Sequence, residues 1–172
     1  MAGKIVRPPP LPSDELYRVL RLAHLDGRML LIIAGFFALM AAGSRIAPAT
    51  IAGVLAAGLG AWELHGVGRL RNGDEQGLND LILAQIGLFL VILGYSIWQQ
   101  FHFDPEIILN PVMVQWFDKL QLPRSEQLAM AKSSHTLTYF LLPVLSAAYQ
   151  GGFAWFYQSK RTAIRAALVQ AE

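Results

Sequence analysis

Residues 81–103, LILAQIGLFLVILGYSIWQQFHF, contain no lysine, arginine, aspartate or glutamate. A helix needs roughly 20 mainly apolar residues to cross about 30 Å of hydrocarbon, and this run meets that length. The segment before it, Arg69–Asp80 (RLRNGDEQGLND), is strongly polar and reads as a turn outside the membrane. Upstream, Met29–Ser44 is again free of charge. The whole chain of 172 residues is 54% hydrophobic and only 15% charged. Soluble domains carry about 25% charged residues, so the composition is that of a membrane protein.

Read outward from this run, the sequence predicts an all-α integral membrane bundle of four transmembrane helices at about 28–44, 46–67, 81–98 and 135–158. Residues 1–27 are expected as a proline-rich tail (MAGKIVRPPPLP) and a short amphipathic helix. Ser13 is the expected N-cap, with Asp14 and Glu15 suited to the positive end of the helix dipole. Leu16, Val19, Leu20 and Ala23 form one apolar face, which predicts a helix lying on the membrane surface. Asp26-Gly27 is the expected bend into the first span. Residues 111–120, after Asn110-Pro111, predict a second interfacial helix. Val112, Met113, Trp116, Phe117 and Leu120 share its apolar face, with Gln115, Asp118 and Lys119 opposite, and Trp116 and Phe117 are its membrane anchors. Asp104-Pro105-Glu106 reads as a further helix start. Residues 159–172 form a basic tail expected to be helical. No cleavable signal peptide is expected, because the first apolar run follows a long polar segment. The first span is therefore expected to serve as an uncleaved anchor.

Lysine and arginine set the orientation. Ten lie on the side of the two termini and the Arg69–Asp80 loop: Lys4, Arg7, Arg18, Arg21, Arg28, Arg69, Arg71, Lys160, Arg161 and Arg165. Arg45, Lys119, Arg124 and Lys132 lie on the other. Both termini are expected in the cytoplasm, with the chain in a cell inner membrane.

The helix faces nominate residues. In the second span Ala49, Ala52, Gly53, Ala56, Gly60 and Glu63 share one face. The small residues Ala52, Gly53, Ala56 and Gly60 form a seam that lets another helix approach closely. Ile51, Leu55 and Trp62 form a lipid-facing ridge. Glu63 reads as the only acid inside the spans, costing about 2.5–3.5 kcal/mol at mid-membrane and less near the interface. It is a functional candidate, or a register-setting residue that reaches Arg28, Arg69 or water. Gln85 lies at nearly the same depth and is expected to bond it. Gly87 and Gly94, on the opposite face of the third span, offer a further approach. In the fourth span His135, Tyr139, Ser146, Tyr149, Gln150, Phe153 and Tyr157 make an aromatic and hydroxylic stripe, facing either the bundle core or a partner. Pro143 is expected to kink that span, which neighbouring membrane helices tolerate.

Chemical signatures are missing. There is no cysteine, which excludes thiolate chemistry and cysteine-ligated metals. His24, His65, His102 and His135 have no haem-like pairing, and His102, Asp104 and His135 lack metal-ligand spacing. No phosphate loop, nucleophile elbow or HExxH occurs. The expectation is no enzyme, no catalytic residue, no metal and no cofactor. The formal charge of +2 does not argue for nucleic acid. The expected partners are membrane lipids and other membrane subunits, or further copies of the chain. Two functions follow as expectations. One is a non-catalytic accessory subunit of a larger membrane complex. The other is a small oligomeric proton or ion channel using Glu63.

Overall fold

Two tight turns, at residues 44–46 and 72–75, fold three long helices back on one another: α1 (Pro12–Gly43), α2 (Ala47–Arg71) and α3 (Gln76–Phe101). A short helix α4 (Pro111–Lys119) leads to α5 (Arg124–Val169), of 46 residues. The computed structural model describes residues 11–105, 109 and 111–169, without the side chains of residues 111–113 and 118. The proline-rich segment 1–10, the helix start expected at Glu106, and Asn110 lie outside the described residues, as do the side chains of Val112, Met113 and Asp118. No strand occurs among the described residues. Among them, α1, α2 and α3 are long and apolar enough to cross a membrane. α1 packs on α2, α2 on α3, α3 on α5, and α5 returns to α1, closing a ring of four helices.

The turn after α1 has an unusual cap. Arg45 adopts φ 56°, and the Ile46 N–H reaches back to the Ala41 carbonyl at 2.9 Å. This left-handed helix ending is usually given to glycine. α4 ends the same way, with Gln121 at φ 53° and the Leu122 N–H on the Phe117 carbonyl at 3.2 Å. In the second long turn a glycine does hold the left-handed position, Gly73 at φ 83°.

The small-residue seam of α2 lies against α1. A Cβ on Gly60 would stand 2.8 Å from the Leu31 amide nitrogen and 2.9 Å from the Gly27 carbonyl oxygen. One on Gly53 would stand 2.9 Å from the Ala38 Cα. α1 meets this seam with its own buried small residues Gly27, Ala34, Ala38 and Ala41. A second close approach joins α2 to α3, where Gly66 and Gly77 face each other's carbonyl oxygens. Gly87 meets only the end of the Leu59 side chain, and Gly94 meets nothing, so the further approach expected at these two glycines forms at one. Ile51, Leu55 and Trp62 are exposed, as the lipid ridge requires.

Three expectations are corrected. The helix starts at Pro12, with Leu11 in the capping position and no side-chain cap, so Ser13 is not the N-cap. Proline suits a first turn because it has no N–H to leave unpaired. The chain does not bend at Asp26-Gly27, since α1 is continuous through both residues. Gly27 serves the crossing with Gly60 rather than a turn. The amphipathic face of residues 16–23 does not lie on a surface either. Val19 and Ala23 are fully buried in a core with Val67, Leu70, Leu78, Leu81, Tyr157 and Ile164. That face finds apolar partners on all three neighbouring helices, which removes it from water more completely than a bilayer surface would.

Candidate functional site

Where the ring is tightest, one polar layer runs through it, and each long helix contributes. α1 supplies Asp26, α2 Glu63, α3 Gln85, and α5 Tyr149 and Tyr157. Gln85 Nε2 donates to Asp26 Oδ2 at 2.8 Å and to Glu63 Oε1 at 3.1 Å. Tyr157 OH donates to Glu63 Oε1 at 3.0 Å, and Tyr149 OH donates to Asp26 Oδ1 at 2.8 Å. Glu63 is 0% exposed. Its Oε2, and Oε1 of Gln85, are buried without a hydrogen-bond partner. No lysine or arginine bonds either carboxyl group among the described residues.

The energy balance of this layer is close. A buried acid costs about 2.5–3.5 kcal/mol in a membrane, and each interhelical hydrogen bond returns about 0.6–2 kcal/mol. Two bonds to Glu63 therefore roughly offset its burial. The layer adds little net stability, but it fixes the relative height of four helices, because sliding any one by a turn unmakes it.

The structure brings together four of the sequence candidates: Glu63, Gln85, Tyr149 and Tyr157. Ser146 and Gln150 bond each other at 2.9 Å, the serine hydroxyl donating, and both are buried. Tyr149 is 51% exposed, so the stripe on α5 turns partly outward there. Tyr139 stands apart, toward the other end. Its ring meets Tyr95 edge-on at 5.9 Å and His135 at 4.7 Å. Trp116 is exposed on α4 and Phe117 is half-buried. Ala52 and Ala56 are half-buried beside Gly53 and Gly60.

Two readings change at the site. Glu63 is not the only inward acid, because Asp26 shares its layer. Nor does it reach Arg69, whose guanidinium is taken by Asp74 at 2.7 Å, Asp80 at 2.8 Å and Gln76 at 2.6 Å. The Gln76 N–H and the Arg69 guanidinium both favour the charged form of Asp74 and hold its carboxyl below the usual range. Asp26 was missed because an Asp-Gly pair is a strong turn signal. Its spacing of eleven residues from Glu15 matches that of Tyr149 from Lys160 on α5, and Glu15 and Lys160 pair at 3.0 Å. That match becomes visible only once the structure pairs Glu15 with Lys160.

Beside the layer, Asp26, Tyr149 and Gln150 line a cavity of about 560 Å³ whose other walls are apolar side chains of all four helices, such as Ile33, Ala56, Leu88 and Leu142. No group of three or more histidine, cysteine, aspartate or glutamate side chains among the described residues is arranged to hold a metal. No protein family, curated protein or solved structure matches the chain.

Proposed function

We propose that this chain is a non-catalytic accessory subunit of a larger assembly in a cell inner membrane, with both termini cytoplasmic. The observation that carries the reading is the use of the inward polar groups. Asp26, Glu63, Gln85, Tyr149 and Tyr157 are engaged with one another, one layer joining four helices. An enzyme needs several convergent polar groups left open to a substrate. Apolar side chains cover the outside instead, including Phe36, Leu39, Ile51, Leu145 and Trp155.

The reading includes α5 as a fourth span. Its central part is diluted by Tyr139, Pro143, Tyr149 and Gln150, yet its outward residues Leu137, Leu141, Val144, Leu145 and Trp155 are apolar. At about 1.5 Å per residue α5 is roughly 70 Å long, so it crosses and protrudes on both sides. α4, with Trp116 exposed beside Lys119, then lies at the outer interface. The chain has no native cysteine, so a single Leu145→Cys variant reports cleanly. Protection from a water-soluble maleimide in intact membranes is expected, and full labelling there would remove the fourth span.

Gentle extraction followed by native mass spectrometry tests the function. Recovery with other membrane subunits is the expected result, and a lone monomer would overturn it. The two carboxyl groups without a basic partner favour one second reading, an oligomeric proton or cation channel. Under that reading Glu63→Gln abolishes flux into reconstituted vesicles while assembly stays intact. Under the accessory reading the same variant changes assembly or nothing.

A further inference from the structure

The faces of α3 and α5 diverge beyond the polar layer and leave a groove of about 1060 Å³. Its deep part is walled by Phe89, Leu93, Ile97, Phe140, Val144 and Ala147. Its mouth is polar, formed by Gln100, Lys132, Ser133 and Thr136. Gln100 Nε2 donates to the Thr136 carbonyl at 2.9 Å and bridges the helices there. Polarity is thus confined to one end. Lys132 to Ala147 spans about 22 Å of helix at 1.5 Å per residue. One leaflet of hydrocarbon is about 15 Å, half of the roughly 30 Å core. The groove therefore covers one leaflet and about 7 Å of headgroup region.

A further observation marks an occupant. Lys132 has no hydrogen-bond or ion-pair partner among the described residues. It supplies a cation at the mouth that no described residue neutralises. Ser96, one turn deeper than Gln100, is among the lining residues but only 1% exposed, so it marks a depth in the groove rather than a contact. Pro143 also lines the groove. Without an N–H it cannot bond the carbonyl of Tyr139, one turn before it.

We propose that this groove binds one anionic glycerophospholipid, its phosphate on Lys132 and Ser133, its glycerol ester at the depth of Ser96, and an acyl chain between α3 and α5. A transmembrane helix fits less well. A helix in this groove would need apolar or small neighbours along its whole length, whereas the mouth presents the Lys132 cation, unpaired among the described residues. The inference rests on α5 crossing the membrane.

The test uses the full chain in detergent, titrated with dioleoylphosphatidylglycerol or dioleoylphosphatidylcholine and read by native mass spectrometry. One tightly retained phosphatidylglycerol is expected, with phosphatidylcholine retained more weakly. A lysine near anionic lipid is worth about fivefold in affinity, so Lys132→Gln lowers phosphatidylglycerol retention by about that factor and lowers phosphatidylcholine retention less. Val144→Trp fills the groove and removes retention of both lipids. Equal retention of the two lipids, or indifference to both substitutions, overturns the proposal. Loss with Lys132→Gln but not with Val144→Trp overturns it as well, since the lipid would then sit on the surface. A folded Val144→Trp protein is recognised by an unchanged melting temperature without lipid. If that variant fails to fold, Leu93→Phe replaces it. Leu145→Cys labelling separates the two failures: a protected site with no retained lipid leaves the fourth span standing and removes only the lipid.

Discussion

The two halves of the ring are built by opposite rules. In the half that holds the start of α1 and the end of α5, the helices are cross-tied. Glu15 pairs with Lys160, Arg69 with Asp80, Glu75 with Arg165, and Asn79 with Arg161. Below these pairs lie a mainly apolar core and then the polar layer around Glu63, with Tyr157 belonging to both. Glycines bring backbones into contact at Gly27–Gly60 and Gly66–Gly77. Beyond the Gly53–Ala38 contact of α1 with α2, the other half is joined more sparely, by the Gln100–Thr136 bond and by aromatic edges such as Tyr95–Tyr139 and Phe103–His135. It is also where the wide clefts lie, including one of about 710 Å³ lined by Phe37, Trp98, His102 and Tyr139. One half fixes which helix sits where, and the other leaves room for something that is not part of the chain. Away from the Gly53–Ala38 contact, a mutation should therefore be costly or tolerated according to the half it falls in.

The largest effect is expected at the glycine contacts. Gly60→Leu forces a side chain into the α1 backbone, where Leu31 and Gly27 cannot give way. Overpacking of this kind costs about 1–3 kcal/mol and more where the obstacle is backbone. Loss of a monodisperse peak on size exclusion is the expected readout. Gly94→Leu, which meets open space in the other half, should leave the peak unchanged. Equal effects of the two would break the comparison.

Next comes the polar layer. Tyr157→Phe removes one donor from Glu63 and is expected to destabilise by about 1 kcal/mol, within the range for membrane hydrogen bonds. Tyr139→Phe, in the sparser half, should cost less in the same thermal melt.

A smaller effect belongs to the Arg69 cluster. Arg69→Ala is expected to lower the melting temperature by less than Tyr157→Phe does, as for partly exposed ion pairs. Its pH dependence has a definite sign. The folded-state pKa of Asp74 is depressed, so its contribution is complete above the ordinary aspartate pKa and is lost as pH falls through the lower folded value. Asp74→Asn should thus match the parent at the acid end and fall below it near neutrality. A constant difference across pH would contradict the assignment.

The smallest effect is at the first turn. Arg45 holds a left-handed conformation that costs a side-chain-bearing residue about 1–2 kcal/mol, partly offset by the extra freedom glycine has in the unfolded chain. Arg45→Gly is expected to stabilise by a few tenths to about 1 kcal/mol.

Much of this division was legible in the sequence, and for physical reasons. The uncharged runs and the 3.6-residue periodicity specify helices whatever their tertiary setting, so the three apolar helices, the α2 seam and the equal depth of Glu63 and Gln85 could be read directly. What could not be read depended on which helix meets which. Gly27 is a turn signal in isolation and a contact point only once Gly60 is opposite. Residues 16–23 have the same pattern on a membrane surface as in a bundle core. Asp26 became part of a site only when α5 brought Tyr149 beside it.

The central claim is that the layer around Glu63 acts as one unit joining separate helices. A double-mutant cycle with Glu63→Met and Tyr157→Phe, measured by reversible unfolding in detergent, tests it most directly. The account predicts that the two substitutions are coupled by about 0.5–1.5 kcal/mol, as contacting residues in one network are. Strictly additive effects would show that Glu63 and Tyr157 do not work through each other, and would contradict it.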